Sequence, residues 1–550
     1  MRPAFLLPVT RREEAPTNFR IYFQSMEIAK RRFAMRMRRG PARRPICLLL
    51  ALLAVHPAAA QEKGSRDQGG LAAARFAMRV ETVLGTSPVD KGEWGLLVAD
   101  AESGTTLYEK NANDYFLPAS NMKLLTTALA LDTLGPDFRF RTTIETNGTL
   151  GADGKLTGDL ILVGRGDPNL SNRKFPFETK EEFDGPPERA LGELADAISA
   201  KGVKEVTGDI VGDDSYFPRE RYPEGWEIGD MVWEYGAAIS AIVVNDNTVT
   251  VTLTPGEKAG DEVTMTIQPA TKEFAVFCQV KTIGAREKAD LRLTREPGSD
   301  VVWIGGEMPA KSAPRKLALA IQEPALHSAN LLSQLLSDRG IKVTGKPRAM
   351  HEPDPNEAAR SMLAEHMSIP LKDSVKLVNK VSQNLHTEVL LRTAARQQGR
   401  WSTPEDLQKF PAMFYAKAGI ADGDVIQSDG SGLSRHDLVT PRAFVALLEY
   451  AQKQSWFPAF LASLPVAGED GTLNERMKDL PLAGKIHAKT GSVTHVRALS
   501  GYAETPGGRR LIFSFLSNNQ GGKSHEVHVA LDAVCLAMVE EFDEKKEVMK

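Results

Sequence analysis

The sequence predicts an α/β (α+β) fold in which a large β-rich insertion interrupts an α/β unit. A strand hairpin and a helix are predicted before residue 148, and strands alternate with helices again after residue 359. Between them, short segments of alternating polar and β-branched residues predominate. The pattern therefore predicts a β-rich module in the middle of the chain, followed by an α/β unit.

The predicted hairpin consists of residues 94–100 and 107–109, two short apolar segments that flank the turn-forming residues 102–105. Residues 121–134 follow as an apolar helix that begins just after Pro118. This part of the chain thus predicts two strands and one buried helix.

The middle of the chain predicts strands at residues 160–163, 249–253 and 263–267. In the last two, threonine alternates with apolar residues, which is typical of strands with one buried face. Helical spacing returns at residues 328–336 and becomes stronger across residues 377–398. The β-rich pattern therefore gives way to helices toward residue 398.

The last part of the chain predicts two strands, residues 497–503 and 511–516, joined across a turn that contains Pro506, Gly507 and Gly508. A helix is expected from about residue 526 to residue 542.

The first 60 residues have the layout of a secretory signal peptide. They contain twelve Lys and Arg against three acidic residues, then the apolar run 46–55 and three alanines ending at Ala60. An apolar run of ten residues is too short for a membrane-spanning helix, which needs about 20. We therefore expect export to the periplasm or cell envelope, with cleavage near Ala60.

The charge balance does not favour a polyanionic partner. Residues 61–550 hold 56 basic and 68 acidic side chains, a net charge of −12, so no nucleic-acid binding is expected. Cys278 and Cys535 lie far apart in sequence; buried thiols are the favoured interpretation, and pairing is the alternative. His487 and His495 have no third ligand nearby, so we expect neither a metal nor a cofactor.

Ser120 and Lys123 form an S-x-x-K motif at the start of the predicted helix. One helical turn separates them, so the amine and the hydroxyl lie on the same face. A lysine with a lowered pKa can take the proton that makes serine a nucleophile. The alternative is that Ser120 caps the helix and Lys123 is solvated.

Two further motifs favour the catalytic interpretation. Ser382 and Asn384 form S-x-N within the predicted helical stretch, with Gln383 expected to point away from both. The run Lys489-Thr490-Gly491-Ser492 lies just before the final strand pair. Helix capping and a strand end could explain each motif alone, but their order matches the set S-x-x-K, S-x-N and K-T-G.

With these motifs the sequence resembles the low-molecular-mass penicillin-binding proteins of the D-Ala-D-Ala carboxypeptidase/endopeptidase family, peptidase family S13, the group of penicillin-binding protein 4. The segments 166–171, 208–215, 429–435 and 465–473 resemble the same family, and the resemblance covers residues 75–540.

The resemblance implies a penicillin-binding/β-lactamase-like transpeptidase domain formed by residues 61–148 and 359–550, with residues 149–358 inserted as a β-rich segment. Lys123 and Ser382 are 259 residues apart, whereas class A β-lactamases lack so large an insert. The expected substrates are peptidoglycan stem peptides, and β-lactam antibiotics are expected as covalent inhibitors. A serine β-lactamase or esterase and a catalytically silent wall-binding protein are the alternatives.

The resemblance also implies roles at the site. Ser120 would be the nucleophile, Lys123 its base, and Ser382 a proton relay to the leaving amine. The substrate-binding residues would be Asn384, Lys489, Thr490, Gly491 and Ser492. Lys489 and Thr490 would face the carboxylate of the leaving group, and the backbone N–H groups of Ser120 and Ser492 would hold the oxyanion.

Overall fold

The computed structural model describes residues 59–170, 173, 185–271 and 273–543, and for residues 59–69 the backbone alone. The predicted signal peptide therefore lies almost entirely outside the described residues. The chain divides into two units, residues 1–63 and 64–550, and of the first only residues 59–63 are described, as the start of a helix. No helix in the described part is long and apolar enough to cross a membrane.

The helices are α1 (Ala59–Leu84), α2 (Met122–Leu134), α3 (Arg189–Ala200), α4 (Pro324–Asp338), α5 (Leu371–Lys380), α6 (Asn384–Gln397), α7 (Pro404–Lys417), α8 (Pro441–Ala451), α9 (Phe457–Ser463) and α10 (Ser524–Glu541). The strands before residue 260 are β1 (Glu93–Asp100), β2 (Thr106–Lys110), β3 (Arg141–Thr146), β4 (Thr149–Leu150), β5 (Lys155–Thr157), β6 (Leu160–Val163), β7 (Glu205–Val206), β8 (Ile210–Asp213) and β9 (Thr248–Thr254). The later strands are β10 (Thr264–Gln268), β11 (Ala275–Ile283), β12 (Asp290–Thr294), β13 (Val301–Pro309), β14 (Arg315–Ala320), β15 (Lys342–Val343), β16 (Pro347–Met350), β17 (Ser361–Met367), β18 (Val425–Ile426), β19 (Leu438–Val439), β20 (Ile486–Val493), β21 (Val496–Glu504) and β22 (Arg510–Asn518).

The two ends of the chain meet in one five-stranded sheet, ordered β2-β1-β22-β21-β20. The predicted hairpin is confirmed as β1 and β2, and the predicted final strand pair as β21 and β22. Strand β1 pairs along its whole length with β22, so residues more than 400 positions apart become neighbours. Strand β20 is left at the edge of the sheet.

Both faces of this sheet are buried, because side chains on successive residues of a strand point to opposite faces. Leu97 and Ile512 face a core that includes α2 and α8. Leu96 and Phe513 face a second core, which includes Phe76 of α1 and the buried side of α10. The sheet is thus the middle layer of a sandwich with helices on both sides, and it holds β20 in a fixed position beside α2.

The middle of the chain is β-rich, as predicted, and it also contains α3 and α4. One sheet, ordered β16-β8-β6-β3-β17, packs against these two helices through a core of its own. Two three-stranded sheets, β10-β9-β14 and β11-β13-β12, enclose another core. The domain boundaries at residues 149 and 358 stay a prediction; β3 and β17, which flank them, lie in the first of these sheets.

The prediction of one helical stretch over residues 377–398 is wrong, because the chain breaks at Ser382. Helix α5 ends at Lys380, α6 begins at Asn384, and Ser382 adopts a left-handed conformation with φ of 63°. Gln383 caps α6, its side-chain oxygen accepting the backbone N–H of His386, so it does not point away from a continuous helix. The break turns the second motif toward the start of α2, where Lys123 lies.

Cys278 and Cys535 are both free thiols, so they do not pair with each other. Cys535 is buried in the core beside α10, as expected, whereas Cys278 on β11 is only half-buried, which corrects the expectation for that residue.

Candidate active site

The first motif lies where a short 3-10 turn, Ala119–Asn121, runs into α2. Lys123 Nζ donates a hydrogen bond to Ser120 Oγ across 2.9 Å. The predicted same-face geometry is therefore confirmed: the amine reaches the hydroxyl one turn before it.

Lys123 is completely buried and has three hydrogen-bond acceptors. Besides Ser120 Oγ, its Nζ donates to Asn384 Oδ1 at 2.6 Å and to the backbone oxygen of Ser431 at 2.7 Å. Burial lowers the pKa of Lys123 to about 7, although the carboxylates of Asp429, Glu388 and Asp437 act to raise it. The amine can thus exchange a proton near neutral pH, which a base for Ser120 requires.

The second motif is brought to the first by the break before α6. Asn384 Oδ1 accepts from Lys123, and its Nδ2 donates to the backbone oxygen of Tyr235 at 2.8 Å. Tyr235 belongs to the middle of the chain, so Asn384 ties that segment to the nucleophile. Ser382 lies two residues before Asn384, and its left-handed backbone sets the direction of its hydroxyl.

The third motif lies on the edge strand β20, where an edge position was predicted. Lys489 is completely buried, and its Nζ donates to Ser382 Oγ at 2.9 Å and to the backbone oxygen of Thr490 at 2.7 Å. Burial, and then the charge of Lys123, lowers the pKa of Lys489 well below its usual value. The hydroxyl of Thr490 contacts that of Thr472 at 2.7 Å.

Gly491 allows β20 to approach the nucleophile. A Cβ atom at this position would lie 2.7 Å from the backbone oxygen of Pro118 and 3.3 Å from the Cβ of Ala119. Any larger residue would therefore push the edge strand away from the turn that carries Ser120.

A cleft of about 330 Å³ opens in front of these groups. Its lining residues include Ser120, Ser382, Asn384 and Ser492. Lys123 and Lys489 are buried behind them. The structure therefore brings all three motifs together, with the serine hydroxyls toward the cleft and the amines behind.

The cleft also has charged walls that the sequence reasoning missed. Glu227 and Asp230 come from the middle of the chain, and Arg435 comes from the loop after residue 429. Arg435 Nε lies 3.1 Å from Glu227 Oε1, and the hydroxyl of Tyr235 donates to Asp230 Oδ1 at 3.2 Å. Burial raises the pKa of Asp230. A ligand that carries both an amine and a carboxylate would find partners of each sign here.

A second missed feature is the set of buried acids behind Lys123. Asp429 accepts the backbone N–H groups of Ser431 and Gly432 with one oxygen, and those of Leu433 and Ser434 with the other. These bonds fix the loop whose Ser431 carbonyl binds Lys123. A signal for Asp429 was present, since it opens the family-like segment 429–435, but the segment does not show which atoms the carboxylate binds.

Glu388 supports the same loop from α6. Its Oε1 accepts the N–H of Gly430 at 2.8 Å, and its Oε2 accepts from Arg392 Nη1 at 2.8 Å. Asn384, Glu388 and Arg392 are spaced by four residues, so they lie on one face of α6. Their spacing by four residues was the available signal.

A serine hydroxyl with a buried lysine amine at hydrogen-bond distance, at the start of a helix beside an edge strand, is the arrangement typical of an acyl-transferring serine hydrolase with a lysine base. The family is shown by comparison: residues 77–537 match the D-Ala-D-Ala carboxypeptidase 3 (S13) family, and the chain belongs to that family.

Curated relatives agree with this assignment. A D-alanyl-D-alanine carboxypeptidase of Actinomadura sp. (strain R39) is 32% identical over 505 residues, covering 88% of each chain. The D-alanyl-D-alanine carboxypeptidase DacB of Haemophilus influenzae is 28% identical over 429 residues, covering 76% of this chain and 84% of the relative.

Among solved structures, penicillin binding protein 4 (dacB) of Haemophilus influenzae matches with a TM-score of 0.73 and 26% identity, covering 84% of this chain and 99% of the other. A second structure of that protein, complexed with a novel β-lactam, matches with a TM-score of 0.68 and 25% identity, covering 85% of this chain and 99% of the other. The penicillin-binding type of fold expected from the motifs is therefore confirmed.

Proposed function

We propose that this chain is a serine-type D-Ala-D-Ala carboxypeptidase, and a D,D-endopeptidase where the stem peptides are cross-linked, that acts on peptidoglycan through an acyl-enzyme on Ser120. The observation that carries the proposal is the 2.9 Å contact between Lys123 Nζ and Ser120 Oγ, made by a completely buried amine. The family membership supplies the substrate class.

Acylation begins with proton transfer from Ser120 Oγ to the neutral amine of Lys123. The oxygen then attacks the carbonyl carbon of the penultimate D-Ala, and the backbone N–H groups of Ser120 and Ser492 hold the oxyanion. The Lys123 ammonium that forms has Asn384 Oδ1 and the Ser431 carbonyl as acceptors. These contacts stabilise the charge that develops in the transition state.

The leaving amine needs a proton, and we assign its supply to Ser382. Its hydroxyl accepts from Lys489 Nζ at 2.9 Å, so a proton that Ser382 gives to the amine can be replaced from Lys489. The C–N bond breaks, and D-Ala or the cross-linked diamino acid departs. Lys123 then gives its proton to solvent and, as the neutral amine, takes a proton from the water that attacks the ester. That proton returns to Ser120 Oγ as the ester C–O bond breaks, and the carboxylic acid that forms gives its proton to Lys489. Both leaving groups carry a carboxylate beside the amine, and Lys489 with Thr490 is proposed to recognise it.

A β-lactam would acylate Ser120 in the same way, but its ring opens without releasing a leaving group, so the adduct persists. Incubation of the mature enzyme with a penicillin, followed by intact-mass measurement, tests this. We expect one adduct on the wild-type enzyme and none on Ser120→Ala, together with D-Ala release from a peptide ending in D-Ala-D-Ala. An adduct on Ser120→Ala would contradict the assignment of the nucleophile, and rapid adduct turnover would favour a β-lactamase.

The export of the enzyme belongs to the same proposal. Its substrate lies outside the cytoplasmic membrane, and the arrangement of residues 1–60 is typical of a cleaved signal peptide. Sequencing the N-terminus of protein recovered from the cell envelope should find a start near residue 61. An N-terminus upstream of the apolar run 46–55 in that fraction would contradict the cleavage.

A further inference from the structure

A second, larger groove of about 840 Å³ lies in the middle of the chain. Its lining includes Leu291 of β12, Arg315 and Lys316 of β14, and residues 233–235. Tyr235 lines both this groove and the catalytic cleft, and its backbone oxygen binds Asn384. The groove therefore begins at the wall of the active site.

One of the strands that border the groove has a free edge. β12 is the last strand of its three-stranded sheet, whereas the outer edge of β14 is partly covered, because Leu319 bridges to Trp233 and the Ala320 N–H donates to the backbone oxygen of Val232. A strand edge presents backbone N–H and C=O groups, which an extended peptide can pair with. The backbone of the groove is thus suited to a peptide.

The side chains of the groove favour a peptide with carboxylates. Arg315 and Lys316 are exposed, and neither has an ion pair or side-chain hydrogen bond with another described residue. Glu234 adds one carboxylate, so the lining keeps an excess of positive charge. Unpaired cations beside a free strand edge attract an anionic chain and hold it in one position.

We propose that the groove between β12 and β14 binds the second stem peptide of a cross-linked peptidoglycan substrate, as an extended peptide whose carboxylates contact Arg315 and Lys316. The inference rests on the proposed function and deepens it, because it makes cross-linked dimers preferred substrates. A single stem peptide fills the cleft at Ser120, and the peptide joined to it continues past Tyr235 into the groove.

The test compares a cross-linked muropeptide dimer with a monomeric peptide ending in D-Ala-D-Ala. The double variant Arg315→Glu/Lys316→Glu should raise KM for the dimer about 5- to 50-fold, since each exposed charge contact contributes modestly and reversal adds repulsion. KM for the monomer and the rate of penicillin acylation should stay at wild-type values, and the latter also shows that the variant is folded.

The matched control is Lys201→Glu/Lys204→Glu, which makes the same charge change at exposed residues next to α3, away from the groove. It should leave both KM values unchanged. An unchanged KM for the dimer in the groove variant, or equal losses on dimer and monomer, would overturn the groove proposal while the proposed function stands. A wild-type enzyme that cleaves neither peptide would instead contradict the proposed function, and the groove proposal with it.

Discussion

Glu388 Oε1 accepts the backbone N–H of Gly430 at 2.8 Å, and the next residue, Ser431, provides the carbonyl that binds Lys123. Burial, and then the charge of Asp429, raises the pKa of Glu388 to about 7, whereas Arg392 lowers it. The carboxylate therefore acts on Lys123 in two ways: it holds the loop that binds the amine, and it stabilises the ammonium by its charge.

The first prediction concerns Glu388→Gln, which keeps an oxygen for Gly430 but removes the charge. The remaining charged groups that influence Lys123 are Asp429, Asp437 and Lys489. Without Glu388 the ammonium is less stable, so the pKa of Lys123 falls further below about 7. In the proposed mechanism the neutral amine is the active form, so the acid limb of the acylation rate should move to lower pH. Because Glu388 is itself only partly ionised near pH 7, the shift should not exceed about half a unit. The plateau rate should fall about 2- to 3-fold, because the base is weaker.

The control for this prediction is Glu145→Gln. Glu145 is a buried carboxylate paired with Arg165 at 2.9 Å, but it lies on β3 and lines no part of the cleft. This variant should lose some stability and keep the wild-type pH profile. An acid limb that stays in place in Glu388→Gln would show that the carboxylate only supports the loop.

The second prediction is that Lys123→Arg remains folded but acylates at least about 100-fold more slowly. Arginine keeps a positive charge near Asn384 and Ser431, but it does not release its proton near neutral pH. Stopped-flow measurement of acylation by a chromogenic β-lactam, with thermal unfolding as the check on folding, tests this. Acylation at the wild-type rate would place the base elsewhere.

The third prediction concerns Gly432, which has a positive φ of 78° beside the nucleophile turn. A Cβ atom here would lie 1.8 Å from the backbone oxygen of Ala119. Gly432→Ala should therefore lower the free energy of unfolding by about 2 to 5 kcal/mol, from backbone strain and overpacking together, and should strongly slow acylation.

Gly423→Ala is its matched control. Gly423 has a similar φ of 86°, and a Cβ atom would come no closer than 3.8 Å to its nearest neighbour, the hydroxyl of Tyr115. Only the strain of the left-handed backbone applies at this position. We therefore expect the free energy of unfolding to fall by about 1 to 2 kcal/mol and acylation to stay normal. Similar effects of the two substitutions, measured by chemical denaturation, would contradict the steric argument.

Local signals in the sequence located the hairpin, α2 and the final strands, because these elements are apolar and almost completely buried and the strand pairs are joined by turn-forming residues. Apolar spacing failed at Ser382, since the apolar residues of α5 and α6 continue the same spacing across the break, and a single left-handed serine leaves no trace in composition. The motif spacing placed Lys123 beside Ser120, whereas the contacts of Lys489 with Ser382 and of Glu388 with Gly430 depend on tertiary packing.

The last prediction concerns how the leaving group's carboxylate is recognised. Lys489 is completely buried and bonded to Ser382 Oγ and the Thr490 carbonyl, and its pKa lies well below the usual value. A carboxylate that binds next to Ser382 would raise this pKa and so favour the charged form of the amine. A charge-assisted contact contributes about 1.5 to 3 kcal/mol. Amidation of the substrate carboxylate should therefore lower kcat/KM about 10- to 150-fold in the wild-type enzyme.

Two variants then distinguish recognition of the carboxylate by Lys489 from proton relay by Ser382. Lys489→Ala should lose a similar factor on the free acid, with little further loss on amidation, because both changes remove one interaction. Ser382→Ala should slow both substrates through the lost relay, yet keep the preference for the acid, since Lys489 remains. The test is to measure kcat/KM for the acid and amide peptides with the wild-type enzyme, Lys489→Ala and Ser382→Ala. If the wild-type enzyme cleaves acid and amide equally, Lys489 does not recognise the carboxylate; if Ser382→Ala loses the preference, recognition passes through the hydroxyl of Ser382.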